Sequence, residues 1–363
     1  MINSIADNFI IYGDYVRSKP FGSGHINDTR LVTFNEDGRE VNYIFRKINK
    51  NVFKNPEIVV SNTLLVTEHI RTKLEQQNEN DILRKVVALI QAKDGKYFYV
   101  DENDGYWSVL RFIEDSYTVD FVETTEQAYQ AAKAFGEFTK QLSDIDVSGI
   151  KETIPNYHNL KSRLKTFDDA VQIDAAKRVN RVTKEINAVD KNRNLQEEIA
   201  ILLNNGIIPI RIVHNDTKIN NVMLDDKTGK GLAVIDLDTV MPGTVLFDFG
   251  DMIRSSTSPV EEDKADYEEV KMRINIFEAI VQGYLSELKD VLTKSEIENL
   301  VYGAEVIVYE QAVRFLTDYI LGDVYYGIAY EDHNLVRAKN QFALLDSIQE
   351  QKEEMEKIVK KYI

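Results

Sequence analysis

The chain has 363 residues, 43% hydrophobic and 29% charged, and its 44 lysines and arginines against 60 aspartates and glutamates give a formal charge of -16. That length exceeds what one core usually holds, so two lobes are expected, and the acidic balance disfavours nucleic-acid and membrane-surface roles while still allowing an anionic ligand held by a local cation or a metal ion. Cysteine is absent, which removes disulfides and thiolate chemistry; the N-terminus has no basic segment of the signal-peptide kind and no stretch is apolar enough to span a membrane, so a soluble, cytoplasmic protein is expected.

The first third reads as strands and turns. Thr29–Phe34 is a strand that follows the glycines Gly22 and Gly24, and Val41–Ile48 is a second, entered from the turn Asn35-Glu36-Asp37-Gly38. Pro56–Leu74 has helical spacing, with Val59, Leu65, Val66 and Ile70 among its apolar positions. Val86–Gln91 and Lys96–Val100 read as further strands leading into Gly105–Ile113. Beyond Glu114 the texture becomes helical. Thr125–Leu142 aligns Ala128, Ala131, Phe135, Phe138 and Leu142, and Ala265–Leu288 aligns Val270, Ile274, Phe277, Val281, Tyr284 and Leu288. Thr293 and Glu296 have capping-box spacing, opening a helix towards Leu321. Ile210–Asp238 interrupts the helices with a β-rich stretch. The expectation is an α+β chain of two-lobed, kinase-like architecture: a small β-rich nucleotide-binding lobe over 1–113 and a larger helical catalytic lobe over 114–363.

Residues 211–221 read RIVHNDTKINN. Phosphoryl transfer needs an aspartate to accept a hydroxyl proton, a cation near the moving group and an amide oxygen to help hold a metal. His214, Asp216, Lys218 and Asn221 supply that order between two apolar runs. A β-hairpin follows, whose second strand ends in Asp236-Leu237-Asp238. In this arrangement the metal aspartate stands at the end of that strand, so Asp236 is the expected magnesium ligand and Asp238 a candidate second one. The triplet Asp248-Phe249-Gly250 looks like the metal-binding DFG of protein kinases, but Pro242-Gly243 breaks the chain before it. Asp248 is therefore expected to brace the loop from below by accepting backbone N–H bonds.

Phosphate contacts should come from the first lobe. Phe21-Gly22-Ser23-Gly24-His25-Ile26-Asn27 places two glycines just before a strand, where bare backbone amides can approach phosphate oxygens. In Tyr43–Ile48, strand alternation sends Ile44 and Arg46 to one face and Phe45 and Lys47 to the other. Arg46 is the favoured phosphate contact, with Ile44 against the adenine and Lys47 as the alternative. Glu57 and Glu68 of the following helix are the candidate acidic partners.

The segment His214–Asn221 with Val234–Gly243 resembles the aminoglycoside phosphotransferase and choline kinase superfamily. LFDFGDMIR (246–254), RFLTDYILGDVYY (314–326) and HNLVRAKNQ (333–341) narrow the resemblance to the N-acetylhexosamine 1-kinases, along nearly the whole chain from Phe21 to Gln349. The resemblance implies ATP and Mg²⁺ as cofactors and an N-acetylhexosamine as the sugar acceptor bound by the second lobe. It implies Asp216 as general base, Asn221 and Asp236 on the magnesium, and the Gly22–Asn27 loop, with Ser23 and Gly24, over the phosphates. Arg111–Asp115, including Phe112 and Ile113, becomes the hinge beside the adenine. Arg314, Tyr325 and His25 fall where relatives meet the sugar. The alternative for Arg314 is an ion pair with Asp318 on a helix face, for Tyr325 a core aromatic, and for His25 an ordinary polar loop residue. Relatives often carry a glutamate where this chain has Leu64, which leaves the usual cation–glutamate clamp in question.

The expected reaction is direct in-line transfer of the γ-phosphoryl group of ATP to the anomeric hydroxyl, giving the sugar 1-phosphate. The same scaffold also serves other small hydroxyl acceptors such as homoserine, choline or an aminoglycoside. A nucleotide-binding pseudokinase is the remaining alternative, and the complete set of Asp216, Lys218, Asn221 and Asp236 speaks against it.

Overall fold

Residues 2–22 and 26–363 are described in this computed structural model, and they divide into two units. The first comprises Met1–Thr118, Gln141–Pro155 and Val222–Pro242; the second comprises Val119–Lys140, Asn156–Asn221 and Gly243–Ile363. Ser23, Gly24 and His25 lie outside the described residues.

A five-stranded antiparallel sheet organises the first unit, in the order Asp14–Pro20, Asp28–Glu36, Arg39–Ile48, Tyr106–Arg111, Tyr99–Val100. The hairpin turn expected after Asn35 forms because Asp37 and Gly38 both adopt positive φ, 51° and 86°, which matches the twist of the strands it joins. Alternation along Arg39–Ile48 then sorts the side chains. Tyr43 and Phe45 enter a core with Phe9, Val32, Phe34, Trp107 and Val109. Ile48 joins Phe53, Val59 and Val60 in a separate cluster. The helix Pro56–Gln76 starts on a proline, whose missing N–H costs nothing at that position. Its Asn62 amide donates to the carbonyls of Lys151 (2.7 Å) and Val240 (2.9 Å), tying the helix to the turn that follows Asp236.

Two expected strands shrink. Val86–Gln91 is extended but meets the sheet only through the isolated bridge Leu89–Leu110 and the bonds Ile90 N to Val109 O and Arg111 N to Ala88 O. Lys96–Val100 contracts to Tyr99–Val100, because the Asp94-Gly95 turn, with Gly95 at φ 88°, holds Lys96 against Ala92. The edge strand Asp14–Pro20 carries no apolar alternation and has six exposed positions, so its sequence gives no strand signal. The β-rich interruption supplies Val222–Asp225 and Gly231–Val234 to a smaller three-stranded sheet completed by Ser116–Tyr117, and Ile113 packs on its Met223 and Ala233.

The second unit is helical. Leu300–Leu321 is buried almost all round, as expected for a helix enclosed by others, and it packs against Val245–Ser256, Leu160–Ile173 and His333–Lys361. The capping box at Thr293 and Glu296 is present, but it starts the short helix Lys294–Glu298, and the long helix begins afresh after Asn299. Ala265–Leu288 is helical only from Ile274. The preceding residues still bury Val270, four residues before Ile274, which produces the helix-like spacing. They are held as a strap because the Arg273 guanidinium donates to the carbonyls of Val122 (2.8 Å), Ser256 (2.9 Å) and Thr257 (2.9 Å). Among the described residues no helix is long and apolar enough to cross a membrane.

Two glycines set how closely the helices approach. A Cβ on Gly250 would lie 2.4 Å from the carbonyl oxygen of Gly303, and one on Gly303 would lie 2.5 Å from that of Leu246. Backbone meets backbone there, so nothing flexible can yield. Gly250→Ala is expected to lower stability by about 1–3 kcal/mol, the usual cost of overpacking. Urea denaturation checks it; an unchanged midpoint would mean that the helices have room to separate.

Candidate active site

The catalytic-loop segment belongs to the second unit. Arg211–Val213 is a short strand, and Arg211 is anchored by the fully buried Glu296 at 2.6 and 2.9 Å. The chain then turns through Asn215 at φ 64°, a left-handed conformation that asparagine tolerates better than most residues. His214 is enclosed, its ring edge-on to Phe135 (5.4 Å) and Phe138 (6.0 Å), and its Nδ1 accepts the N–H of Asp216 at 3.2 Å. Beneath the turn, Asp248 Oδ2 accepts from His214 N (2.9 Å) and Oδ1 from Asn215 N (2.7 Å), while the Thr217 hydroxyl donates to the Asp248 carbonyl (2.6 Å). The DFG triplet is thus a brace built into the helix Val245–Ser256; Pro242-Gly243 does not break the strand as expected, since Met241–Gly243 is itself a short strand and the helix follows after Thr244. Burial pushes the Asp248 carboxyl up, opposed by His214 and the two amides it serves.

Asp216 projects from this support with a quarter of its side chain exposed. Lys218 Nζ lies 3.1 Å from Oδ1, and the Asn221 amide donates to Oδ2 (3.1 Å) and to the Asp216 carbonyl (2.8 Å). Asn221 therefore turns its nitrogen to Asp216, and its amide oxygen is the atom suited to a metal. Burial acts to raise the Asp216 carboxyl, but Lys218, His214 and Arg254 outweigh it and hold it below its usual range. Lys218 is raised by Asp216, so both stay charged at neutral pH. Arg254 is itself fixed by Asp251 (2.7 Å) and Glu262 (2.8 Å).

Three further groups of this unit were not legible as site residues. His158 Nδ1 sits 3.1 Å from Glu310 Oε1, and its Nε2 lies 3.4 Å from the carbonyl oxygen of Asn215. Tyr157 lies beneath Arg314, whose guanidinium centre is 5.4 Å from that ring and 5.7 Å from Tyr326. Arg254 has no motif of its own; its only signal was its place in LFDFGDMIR. Arg314 does not pair with Asp318. Asp318 is buried and accepts the backbone N–H groups of Val324 (2.9 Å), Tyr325 (2.8 Å) and Tyr326 (2.9 Å), which fixes the loop carrying Tyr325. Tyr325 is 60% exposed, so it is not a core aromatic.

The first unit carries the other expected residues. Asp236 follows the strand Gly231–Val234 in a left-handed conformation, φ 56° and ψ 57°, which turns the chain so that two carboxylates, Asp236 and Asp238, come to one guanidinium. Arg46 Nη1 lies 2.8 Å from Asp238 Oδ1 and 3.7 Å from Asp236 Oδ1. Lys47, on the opposite face, reaches Asp101 (3.6 Å) and the Trp107 ring (5.6 Å), so the alternation resolves in favour of Arg46 as the residue at the acidic turn. The acidic partner of Arg46 does not come from the helix Pro56–Gln76. Glu68 pairs with Arg71 on its own helix and Glu57 is exposed; Asp238 takes the place expected of them. Asn27 donates to Asp238 Oδ2 at 2.6 Å and accepts from Asn49 N at 2.9 Å. Gly22 has φ 84°, which only glycine adopts easily. Ile44 is partly exposed, Ile113 is buried in its cluster, and Phe112 stands edge-on to Phe21 at 5.7 Å.

Among the described residues no three His, Asp or Glu side chains are grouped to hold a metal unaided. Magnesium is commonly held by one or two carboxylates together with substrate phosphates and water. In the first unit Asp236, with half its side chain exposed, is a hard oxygen donor of that kind, and in the second so is the Asn221 amide oxygen.

The profile of the Phosphotransferase enzyme family (APH) matches residues 17–277. Solved structures share the fold at low identity. A microcompartment-associated aminopropanol kinase is 15% identical with a TM-score of 0.61, the match covering 98% of this chain and 97% of that one. A spectinomycin phosphotransferase solved with ADP and spectinomycin is 13% identical with a TM-score of 0.58, over 96% and 97% of the two chains. An ethanolamine kinase from Plasmodium vivax is 14% identical with a TM-score of 0.52, over 94% and 84%. The fold is the α+β, protein-kinase-like one, and the chain belongs to the phosphotransferase enzyme family.

Proposed function

We propose that this protein is an ATP- and magnesium-dependent kinase that transfers the γ-phosphoryl group to the anomeric hydroxyl of N-acetylglucosamine or N-acetylgalactosamine. The observation that carries the reaction class is Asp216, kept ionised and aimed by Lys218 and Asn221 on a loop braced by Asp248. Asp216 accepts the hydroxyl proton as the sugar oxygen attacks phosphorus in line, and the bond to the ADP oxygen breaks. Lys218 offsets charge developing on the transferring group. Asn221 and Asp236 are the residues to hold magnesium, which when bound neutralises phosphate charge. Arg46 and the Gly22–Asn27 segment serve the phosphates, with Ile44, Phe112 and Ile113 beside the base.

The sugar reading rests on the resemblance across 246–254 and 314–341, and the geometry of that stretch suits it. Arg314 is held between two tyrosines and, among the described residues, hydrogen-bonds to the Gln311 side chain (3.1 Å), a donor suited to a carbonyl or hydroxyl oxygen. Tyr325 presents an exposed ring on an anchored loop, suited to a sugar face. His25 belongs to the same proposal.

Phosphorus NMR of enzyme, ATP, magnesium and N-acetylglucosamine should show a new phosphomonoester coupled to the sugar H1. ATP consumed only with an amino alcohol or an aminoglycoside would overturn the sugar reading and keep the kinase. ATP left intact with every hydroxyl acceptor would overturn both.

A further inference from the structure

Asp238 is far more buried than Asp236 and already carries a counter-ion. Its side chain keeps 4% exposure against 49% for Asp236. Oδ2 accepts from the Asn27 amide at 2.6 Å, and Oδ1 lies 2.8 Å from the Arg46 guanidinium as an ion pair, with no hydrogen bond of its own among the described residues. Arg46 is itself 8% exposed and stands 3.7 Å from Asp236. One buried guanidinium thus lies between two carboxylates, and Asp238 holds the nearer end.

We infer that Asp238 is a positioning residue and not a metal ligand: it is the counter-ion that holds Arg46 back and so reserves the Asp236 carboxylate for the metal. The inference rests on the nucleotide-and-magnesium reading above. A buried cation deprived of its partner is costly, which draws it to the nearest other carboxylate. For Arg46 that carboxylate is Asp236. A guanidinium seated on Asp236 competes directly with a divalent cation for the same oxygens. Loss of Asp238 therefore weakens metal binding through Arg46, and removal of Arg46 removes the effect.

The metal's contribution is read as a ratio: the Kd of ADP in EDTA divided by its Kd in Mn²⁺, both by calorimetry. Any contact that Arg46 makes with ADP itself cancels in this ratio. Wild type should give a large ratio and Asp236→Asn a small one. Asp238→Asn should lower the ratio about tenfold, towards the Asp236→Asn value, while in the Arg46→Met background it should change it by less than about twofold. An equal loss in both backgrounds would make Asp238 a ligand and overturn the inference, as would an unchanged ratio in the Arg46 protein. Should Asp238→Asn alone fail to fold, the comparison of Arg46→Met with the charge-neutral double variant still decides, since a ligand is lost there too. A wild type that binds no ADP in either buffer would instead overturn the phosphotransfer reading, and the inference with it.

Discussion

Asp216→Asn is expected to lower kcat by about 10²–10⁴-fold, the range a positioned general base supplies, with ADP affinity and the unfolding midpoint close to wild type. The replacement is nearly isosteric. Its amide oxygen can still accept from Lys218, which stands 3.1 Å from Oδ1 in the native side chain. What it loses is the negative charge and the capacity to take a proton. The loop should keep its shape, because His214 N and Asn215 N are held by Asp248, not by Asp216. Steady-state kinetics with saturating ATP, alongside ADP titration, separate the effects. A variant with wild-type kcat would remove Asp216 from the base role. One with weakened ADP binding and unchanged kcat would move it to the nucleotide.

Much of this arrangement was readable because it is local. The order His214-x-Asp216-x-Lys218-x-x-Asn221 sits within one turn, and a tight turn between two apolar runs leaves its polar residues few other places to point. The brace role expected of Asp248 is seen, but not for the reason the sequence offered, since Pro242 and Gly243 lie within the strand Met241–Gly243. Strand alternation likewise separated Arg46 from Lys47. What could not be read were pairings fixed by tertiary approach. Arg46 finds its carboxylate at Asp238 instead of in the next helix. His158 reaches Glu310 across 152 residues of sequence. Val270 is buried four residues before Ile274, a helix-like interval, on a strap held by Arg273, a hydrogen-bonding pattern that apolar spacing cannot reveal. Asp318 seemed a natural i,i+4 partner for Arg314, yet three backbone N–H groups of the following loop claim it.

The second large effect is expected at Asp248, and it should appear in stability and activity together. In Asp248→Ala the N–H groups of His214 and Asn215 lose acceptors at 2.9 and 2.7 Å in a site with 1% exposure. A buried donor left unsatisfied costs about 1–3 kcal/mol, so two cost about 2–6 kcal/mol, a large share of the 5–15 kcal/mol typical of a folded domain. Asn215 adds to this, since its left-handed φ of 64° persists only while its surroundings impose it. The turn should relax, carrying Asp216 out of line. Asp248→Asn should fall between, because an amide offers one acceptor oxygen to two N–H groups and turns its own N–H₂ towards the other. If Asp248 were instead the magnesium ligand of a protein-kinase DFG, Asp248→Asn would leave the denaturation midpoint unchanged and abolish the tightening of ADP by Mn²⁺. The brace predicts the opposite pair, a lowered midpoint in urea and, in the protein that remains folded, ADP still tightened by the metal.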